Sequence, residues 1–162
     1  DLDLTGFYQS IKYFEDQYGT ILGLLTPKET FGIKYDYTSI HVRRGDYLKL
    51  TKEYEQLGMN YYKKAMEIAD TKYYMVFSDD IEWCKKNFQG DKFIFAEGNH
   101  PVTDISLMSS CINNIIANSS FSFWSAFLNK NPSKTVVAPK KWFGTALPHN
   151  TKDLIPSEWI TI

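Results

Sequence analysis

Two adjacent arginines, a glycine and a carboxylate fill positions 43 to 46, within the run Ile40-His41-Val42-Arg43-Arg44-Gly45-Asp46-Tyr47. A guanidinium group is planar, permanently charged and forked, so it can grip phosphate oxygens at two points. A diphosphate is the ligand such a pair suits. Gly45 allows the chain to turn or to come close to a ligand, and His41 and Tyr47 could line the same crevice. Arg43 and Arg44 could equally do no more than pair with surface carboxylates. Further groups along the chain favour a ligand: Asp79 and Asp80, Asp104, and Ser119 with Ser120. Serine hydroxyls and free helix N–H groups bond phosphate oxygens. A carboxylate can accept from the edge of guanine, whose adjacent donors adenine does not present. Each of these residues also has a plain structural reading: Asp79 as a helix N-cap, Asp104 as a first-turn acid, the serines as caps.

These groups can act together only if the fold gathers them, and the hydrophobic pattern supplies the elements. Residues 38–42 are short, apolar and β-branched, which predicts a buried strand running straight into the arginines. Residues 48–57 are polar and charged, as suits a loop over the site. Asn60 is the expected cap of a helix that places Tyr62, Ala65, Met66 and Ala69 at i, i+3, i+4 and i+7. A strand over 72–78 follows, then a helix opened by a capping box of Asp79 and Glu82 and continued by Trp83, Cys84 and Phe88. Residues 92–96 form the next strand. Thr103 and Asp104 begin a third helix with Ile105, Met108 and Ile112 on one face, and 114–117 returns as a strand. Ser119 and Ser120 cap a helix over 121–128, and 135–138 is the last strand.

Such alternation predicts an α/β fold, a Rossmann-like parallel sheet with helices on both faces. No GxGxxG run is present, so the fold alone implies no nicotinamide cofactor. The arginines, the aspartates and the serines then fall at the mouths of successive strands. Residues 1–30 read as a lead-in segment, with a short helix among the aromatics between Phe7 and Phe14 that Gly19, Gly23 and Pro27 interrupt. Residues 31–162 read as the ligand-binding domain.

The chain of 162 residues suffices for one domain with a real core, and its 43% hydrophobic and 23% charged residues describe a soluble globular protein. A formal net charge of -1 argues against a broad nucleic-acid-binding surface, so any cationic site must be local. No apolar run reaches the roughly eighteen residues of a membrane span. The start, Asp1-Leu2-Asp3-Leu4, lacks the basic and apolar regions of a signal peptide. Cys84 and Cys111 stand in helix-like patterns without CxxC or histidine spacing, which predicts small buried hydrophobes and no structural zinc. The 16% aromatic share suits a sugar-handling cleft or a docking surface.

Three blocks in order carry a family resemblance. His41-Val42-Arg43-Arg44-Gly45-Asp46-Tyr47 resembles the HxRRxD motif of the α-1,2-fucosyltransferases, which the α-1,6 enzymes share. Val76-Phe77-Ser78-Asp79-Asp80 resembles their second block. Asp104-Ile105-Ser106-Leu107-Met108, with Asn118-Ser119-Ser120-Phe121-Ser122-Phe123-Trp124, resembles the third. The leader Gly6-Phe7-Tyr8-Gln9-Ser10 and the tail Pro139-Lys140-Lys141-Trp142-Phe143 also resemble family segments.

The resemblance implies the C-terminal, donor-binding half of a GT-B glycosyltransferase. Such an enzyme inverts at the sugar, uses GDP-fucose as donor without a metal or other cofactor, and acts on a galactose-type hydroxyl of a glycan acceptor. Family members carry an N-terminal domain with a Gly-Gly-Leu-Gly-Asn-Gln type motif that nothing here matches, so a missing domain or partner is expected. By the same resemblance Arg43 binds the β-phosphate, Arg44 supports the loop or the phosphate, and His41 lies near the nucleoside. Asp79 also lies at the substrate, Asp104 binds guanine, and Ser119 and Ser120 bond phosphate oxygens. Asp46, with Glu53 behind it, is the candidate base for the acceptor hydroxyl, or else it holds an arginine in place. The expected location is cytoplasmic, either free or held peripherally at the membrane where surface glycans are built. Two other readings stay open: a nucleotide-sugar-binding fragment that is non-catalytic or partner-dependent, and another HxRRxD fucosyltransferase acting on protein or on a core N-glycan.

Overall fold

The computed structural model describes residues 10–27 and 36–162. Six parallel strands form one sheet: β1 (Tyr37–Val42), β2 (Tyr73–Ser78), β3 (Phe93–Phe95), β4 (Asn113–Ile115), β5 (Val136–Ala138) and β6 (Ile160–Thr161). Their spatial order is β3-β2-β1-β4-β5-β6. Five α-helices accompany the described strands: α1 (Tyr18–Leu25), α2 (Met59–Ala69), α3 (Ile81–Asn87), α4 (Pro101–Ser109) and α5 (Ser120–Leu128).

Alternation along β1 decides what each face of the sheet packs against. Ile40 and Val42 are fully buried in a core with Val76, Ile115, Tyr62 and Ala65 of α2, Cys84 of α3, and Phe88 just after it. Ser39 and His41 point to the other face. There Ser39 Oγ accepts from Asn114 Nδ2 at 2.7 Å, and the His41 ring lies 5.5 Å from that of Phe121 in α5. Further apolar groups on that side come from Met75, Phe77 and Met108, and from Phe123, Phe127, Val136 and Ala138. Both faces are thus covered, as an all-parallel sheet requires. Asn129 Nδ2 donates to Asn114 Oδ1 at 2.7 Å and to the Cys111 carbonyl at 2.7 Å, so the polar groups inserted around β4 are bonded to one another rather than stranded.

The strand order creates the useful feature. From β1 the chain moves outward through α2, β2, α3 and β3, and α4 then carries it back across to β4 on the other side of β1. Sheet growth reverses between β1 and β4, the switch point at whose carboxyl ends open α/β sheets hold their ligand crevice. Residues that follow β1 and β4 form its walls.

Several local expectations are corrected. The helix expected between Phe7 and Phe14 lies partly outside the described residues; from Ile11 the chain makes two 3-10 turns, and α1 then runs through Gly19 and Gly23. Contact with α5 compensates the weak helix propensity of glycine: Phe14 stacks on Trp124 at 5.5 Å, and Tyr18 meets Phe127 edge-on at 5.1 Å. The boundary expected between residues 30 and 31 also lies outside the described residues. Gly58, not Asn60, precedes α2, and β4 covers Asn113–Ile115 rather than 114–117. The two-residue β6 was not anticipated; it pairs with β5 through Val137 and Ala138. Cys84 and Cys111 are free and buried as expected, although Cys111 stands just past the end of α4.

Candidate functional site

The two arginines leave β1 in opposite directions, as successive residues on an extended chain must. Arg44 turns toward α3. Its Nε lies 3.0 Å from Asp80 Oδ2 and its guanidinium sits 4.0 Å over the Trp83 ring, so both its charge and its flat face are occupied. Arg43 turns the other way. Its Nη2 lies 2.6 Å from Asp46 Oδ1, its Nη1 lies 2.9 Å from Asp79 Oδ2, and the Tyr47 ring is 5.2 Å away.

Asp79 uses both oxygens on this loop, because its Oδ1 accepts the Arg44 backbone N–H at 2.9 Å. Gly45 is required by the same contact: a Cβ built there would stand 2.5 Å from Asp79 Oδ2. With Asp79 turned back to the arginines, the expected capping box of Asp79 and Glu82 does not form. Asp80 caps α3 instead, accepting from the Trp83 N–H at 3.2 Å, while Glu82 pairs with Lys85 at 3.1 Å. The arginine cluster therefore has two cations (Arg43, Arg44) and three carboxylates (Asp46, Asp79, Asp80), a formal balance of -1.

His41 lies behind the arginines with 6% of its surface exposed. Burial, helped by the Arg43 charge, pushes its imidazole down to about 3, so the ring is neutral near pH 7. Its Nδ1 has no hydrogen-bond partner. The structure places this ring against Phe121 of α5.

Tyr47 bridges the crevice. Its hydroxyl donates to the Asn118 carbonyl at 3.1 Å, its ring stacks on Tyr54 with centroids 4.0 Å apart, and its carbonyl accepts from Gln56 Nε2 at 2.9 Å. Burial raises the Tyr47 phenol to about 12, which keeps it a hydrogen-bond donor. Asn118 fastens the covering loop: Nδ2 donates to the Glu55 carbonyl at 3.0 Å and to the Trp142 carbonyl at 2.8 Å, and Oδ1 is buried without a partner. Glu53 belongs to the same loop, and its backbone carbonyl accepts the Gly144 N–H at 2.7 Å. A Cβ on Gly144 would meet the Lys52 carbonyl oxygen at 2.3 Å, so these two segments are pressed backbone to backbone.

Ser119 and Ser120 begin α5 beside Asn118, past the end of β4, the parallel neighbour of the strand that leads into the arginines. Ser119 holds the N-cap position, yet its hydroxyl makes no capping bond; Ser122 Oγ reaches back to the Ala117 and Ser119 carbonyls at 3.2 Å each. Among the described residues the first-turn N–H groups of α5 thus have no side-chain acceptor, the arrangement that suits an anion.

Asp104 stands apart from this cluster. It lies in the first turn of α4, which starts at Pro101 with His100 as its N-cap, two residues earlier than expected. Because α4 runs back along the sheet after β3, its N-terminus lies at the carboxyl edge too. Partial burial raises the Asp104 carboxyl, opposed by a hydrogen bond from Asn99 at 3.0 Å. Among the described residues it forms no ion pair with the arginines. The structure thus gathers His41, Arg43, Arg44, Asp46 and Asp79 at the ends of β1 and β2, sets Ser119 and Ser120 past the adjacent β4, and leaves Asp104 in the first turn of α4. Sequence reasoning missed Trp83, Tyr54, Gln56 and the anchoring role of Asn118. All four act through contacts distant in sequence, or through carbonyls that any residue could offer.

Among the described residues, no group of three or more His, Cys, Asp or Glu side chains is placed to hold a metal ion, and no helix is long and apolar enough to cross a membrane.

The sequence model of glycosyl transferase family 11 matches residues 9–162. The O-antigen biosynthesis glycosyltransferase WbnK of Escherichia coli is 38% identical across 77% of this chain and 44% of that protein. An alpha-1,2-colitosyltransferase of Escherichia coli is 32% identical across 99% of this chain and 62% of that protein. Human galactoside alpha-(1,2)-fucosyltransferase 1 is 28% identical across 72% of this chain and 35% of that protein. The chain therefore spans 35% to 62% of the length of these relatives. No solved structure matches it. With three motif blocks at the mouths of the central strands and a family match from residue 9 to residue 162, the chain belongs to glycosyl transferase family 11.

Proposed function

We propose that this chain is the donor-binding half of an inverting α-1,2-glycosyltransferase that moves fucose, or a related deoxysugar, from a GDP-sugar to a galactose-type hydroxyl of a glycan. The observation that carries the reading is the Arg43 fork, one-third exposed just past β1, with the N-terminus of α5 following the neighbouring parallel strand β4 at the switch point. Arg43 binds the β-phosphate, with Ser119, Ser120 and the first N–H groups of α5 completing the anion cradle. Arg44, braced by Asp80 and Trp83, holds the loop in shape. Asp104 reads the guanine edge. The relative that matches 99% of the chain is a colitosyltransferase by name, which keeps colitose beside fucose as the transferred sugar.

The acceptor oxygen forms its bond to the anomeric carbon as the bond from that carbon to the phosphate oxygen breaks, and the electron pair leaves with GDP. Negative charge grows on the diphosphate, so fixed cations and helix N–H groups there stabilise the transition state more than the ground state. The acceptor proton passes to a carboxylate, with Asp46 or Glu53 in that role. Because arginine supplies the positive charge, the reaction needs no divalent cation. We assign acceptor recognition to the remainder of the longer proteins of this family, and a peripheral place at the membrane where surface glycans are built. A non-catalytic, partner-dependent nucleotide-sugar-binding module is the second reading.

The test is fucose and colitose transfer from their GDP donors to a galactoside by the purified protein, with and without excess chelator. Transfer to the galactose 2-hydroxyl that survives chelation is the expected outcome. Donor binding without transfer supports the second reading, and failure to bind any GDP compound rules out both.

A further inference from the structure

Arg43 is held by two carboxylates that differ in every respect relevant to a ligand. Asp79 has 26% of its side chain exposed, uses its second oxygen on the Arg44 N–H at 2.9 Å, and is hemmed in by the missing side chain of Gly45. Asp46 has 57% exposed, and among the described residues the only bond of its carboxylate runs to Arg43 Nη2 at 2.6 Å. The turn that carries Asp46 is secured without its carboxylate, by backbone bonds from Leu48 N–H to the Arg44 carbonyl and from Leu50 N–H to the Tyr47 carbonyl, and by the Tyr47 hydroxyl on the Asn118 carbonyl and the Tyr47 ring on Tyr54. Among the described residues, swinging the Asp46 side chain into solvent therefore breaks one exposed ion pair and no other bond. Such pairs open readily. Removing Asp79 would release both the guanidinium and the loop backbone.

We propose that Asp46 is a counter-ion latch on Arg43 which a diphosphate displaces, while Asp79 is a permanent positioning residue for the same guanidinium. The inference rests on the reading that Arg43 takes the diphosphate. The formal balance of -1 in the cluster is its electrostatic ground: with all three carboxylates in place the arginines hold no net positive charge for an anion, and the loosest carboxylate is the one that yields. Displacement leaves Nη1 on Asp79 and turns Nη2 to a phosphate oxygen. It also frees the Asp46 carboxylate beside the diphosphate only once the donor is seated.

Two substitutions at one guanidinium then act in opposite directions. Calorimetry with GDP and with inorganic pyrophosphate on the purified protein should show Asp46→Asn binding on the order of two- to fivefold tighter than wild type. Asp79→Asn should bind on the order of tenfold weaker or worse. A third arm separates the latch from a general change in field: in an Arg43→Gln background, Asp46→Asn should bring no gain. A gain kept in that background overturns the latch, as does unchanged or weaker binding in Asp46→Asn when the wild type binds. If Asp79→Asn fails to fold by circular dichroism, the Asp46 arm and its double-variant cycle decide alone, since Asp46 is exposed and braces nothing else. Absence of wild-type binding to GDP and pyrophosphate is a different result, and it removes the proposed function along with the latch.

Discussion

Gly45 and Asp79 touch so closely that the identity of one fixes the place of the other: a Cβ on residue 45 would lie 2.5 Å from Asp79 Oδ2. Gly45→Ala should therefore push the Asp79 carboxylate off both the Arg43 guanidinium and the Arg44 N–H. The expected cost is about 1–3 kcal/mol of stability from overpacking, with a loss of GDP affinity matching that of Asp79→Asn. Chemical denaturation and calorimetry check the two halves, and normal GDP binding by a folded Gly45→Ala protein would show that the contact is not needed.

Arg43→Lys and Arg44→Lys should fail in different measurements. The Arg43 fork has both terminal nitrogens engaged, at 2.6 Å and 2.9 Å, and one ammonium cannot span them. About 2–4 kcal/mol of transition-state stabilisation should be lost, seen in single-turnover transfer, with a smaller loss in GDP binding. Arg44→Lys should show its main effect in thermal stability, because a lysine cannot stack flat on Trp83 while pairing with Asp80. Wild-type rates in a folded Arg43→Lys variant would take Arg43 out of the mechanism.

His41 gives a pH signature. Its folded value near 3 lies below the unfolded 6.5, so between these values the unfolded chain binds the extra proton. Stability from this residue is full above pH 6.5 and is lost as pH falls toward 3, with a slope of up to about 1.4 kcal/mol per pH unit inside that window. Unfolding midpoints measured from pH 7 to pH 4 should fall less steeply in His41→Phe than in wild type; parallel curves would place the acid sensitivity elsewhere.

Asp104 should govern the choice of base. With one oxygen on Asn99 and the other without a partner among the described residues, it can accept from guanine and would stand unpaired against adenine. GDP should bind on the order of a hundredfold more tightly than ADP, and Asp104→Ala should erase most of that preference while leaving pyrophosphate affinity alone. Equal affinity of the wild-type protein for both nucleotides would remove Asp104 from base recognition.

The apolar strand that ends at Arg43 was legible because alternation and β-branching act locally, and the same is true of the α2 stripe of Tyr62, Ala65 and Ala69. The alternation of strands and helices also put Asp79 and Ser119 past the ends of strands, where they lie. What they do there was not legible. Asp79 reads as a cap by composition, yet its contacts lie 35 positions back at Arg44, and no local pattern encodes that choice. α1 passes through two glycines because Phe14 and Tyr18 find Trp124 and Phe127, a tertiary effect outweighing propensity. β6, at two residues, is too short to show any period.

The balance of charge around Arg43 has a consequence for encounter. A cationic crevice draws an anion in from a distance and hurries its arrival. Here three carboxylates lie against two guanidinium groups, in a chain whose formal net charge is -1, so the arginine field is cancelled within the width of the cluster. A nucleotide arriving from solution is not guided by it. Association should run at the unsteered rate of its kind and hardly change between dilute and physiological salt, where the screening length falls from roughly 30 Å to 8 Å. The positive charge becomes available only to a ligand already at the door, which makes recognition a matter of residence rather than of arrival.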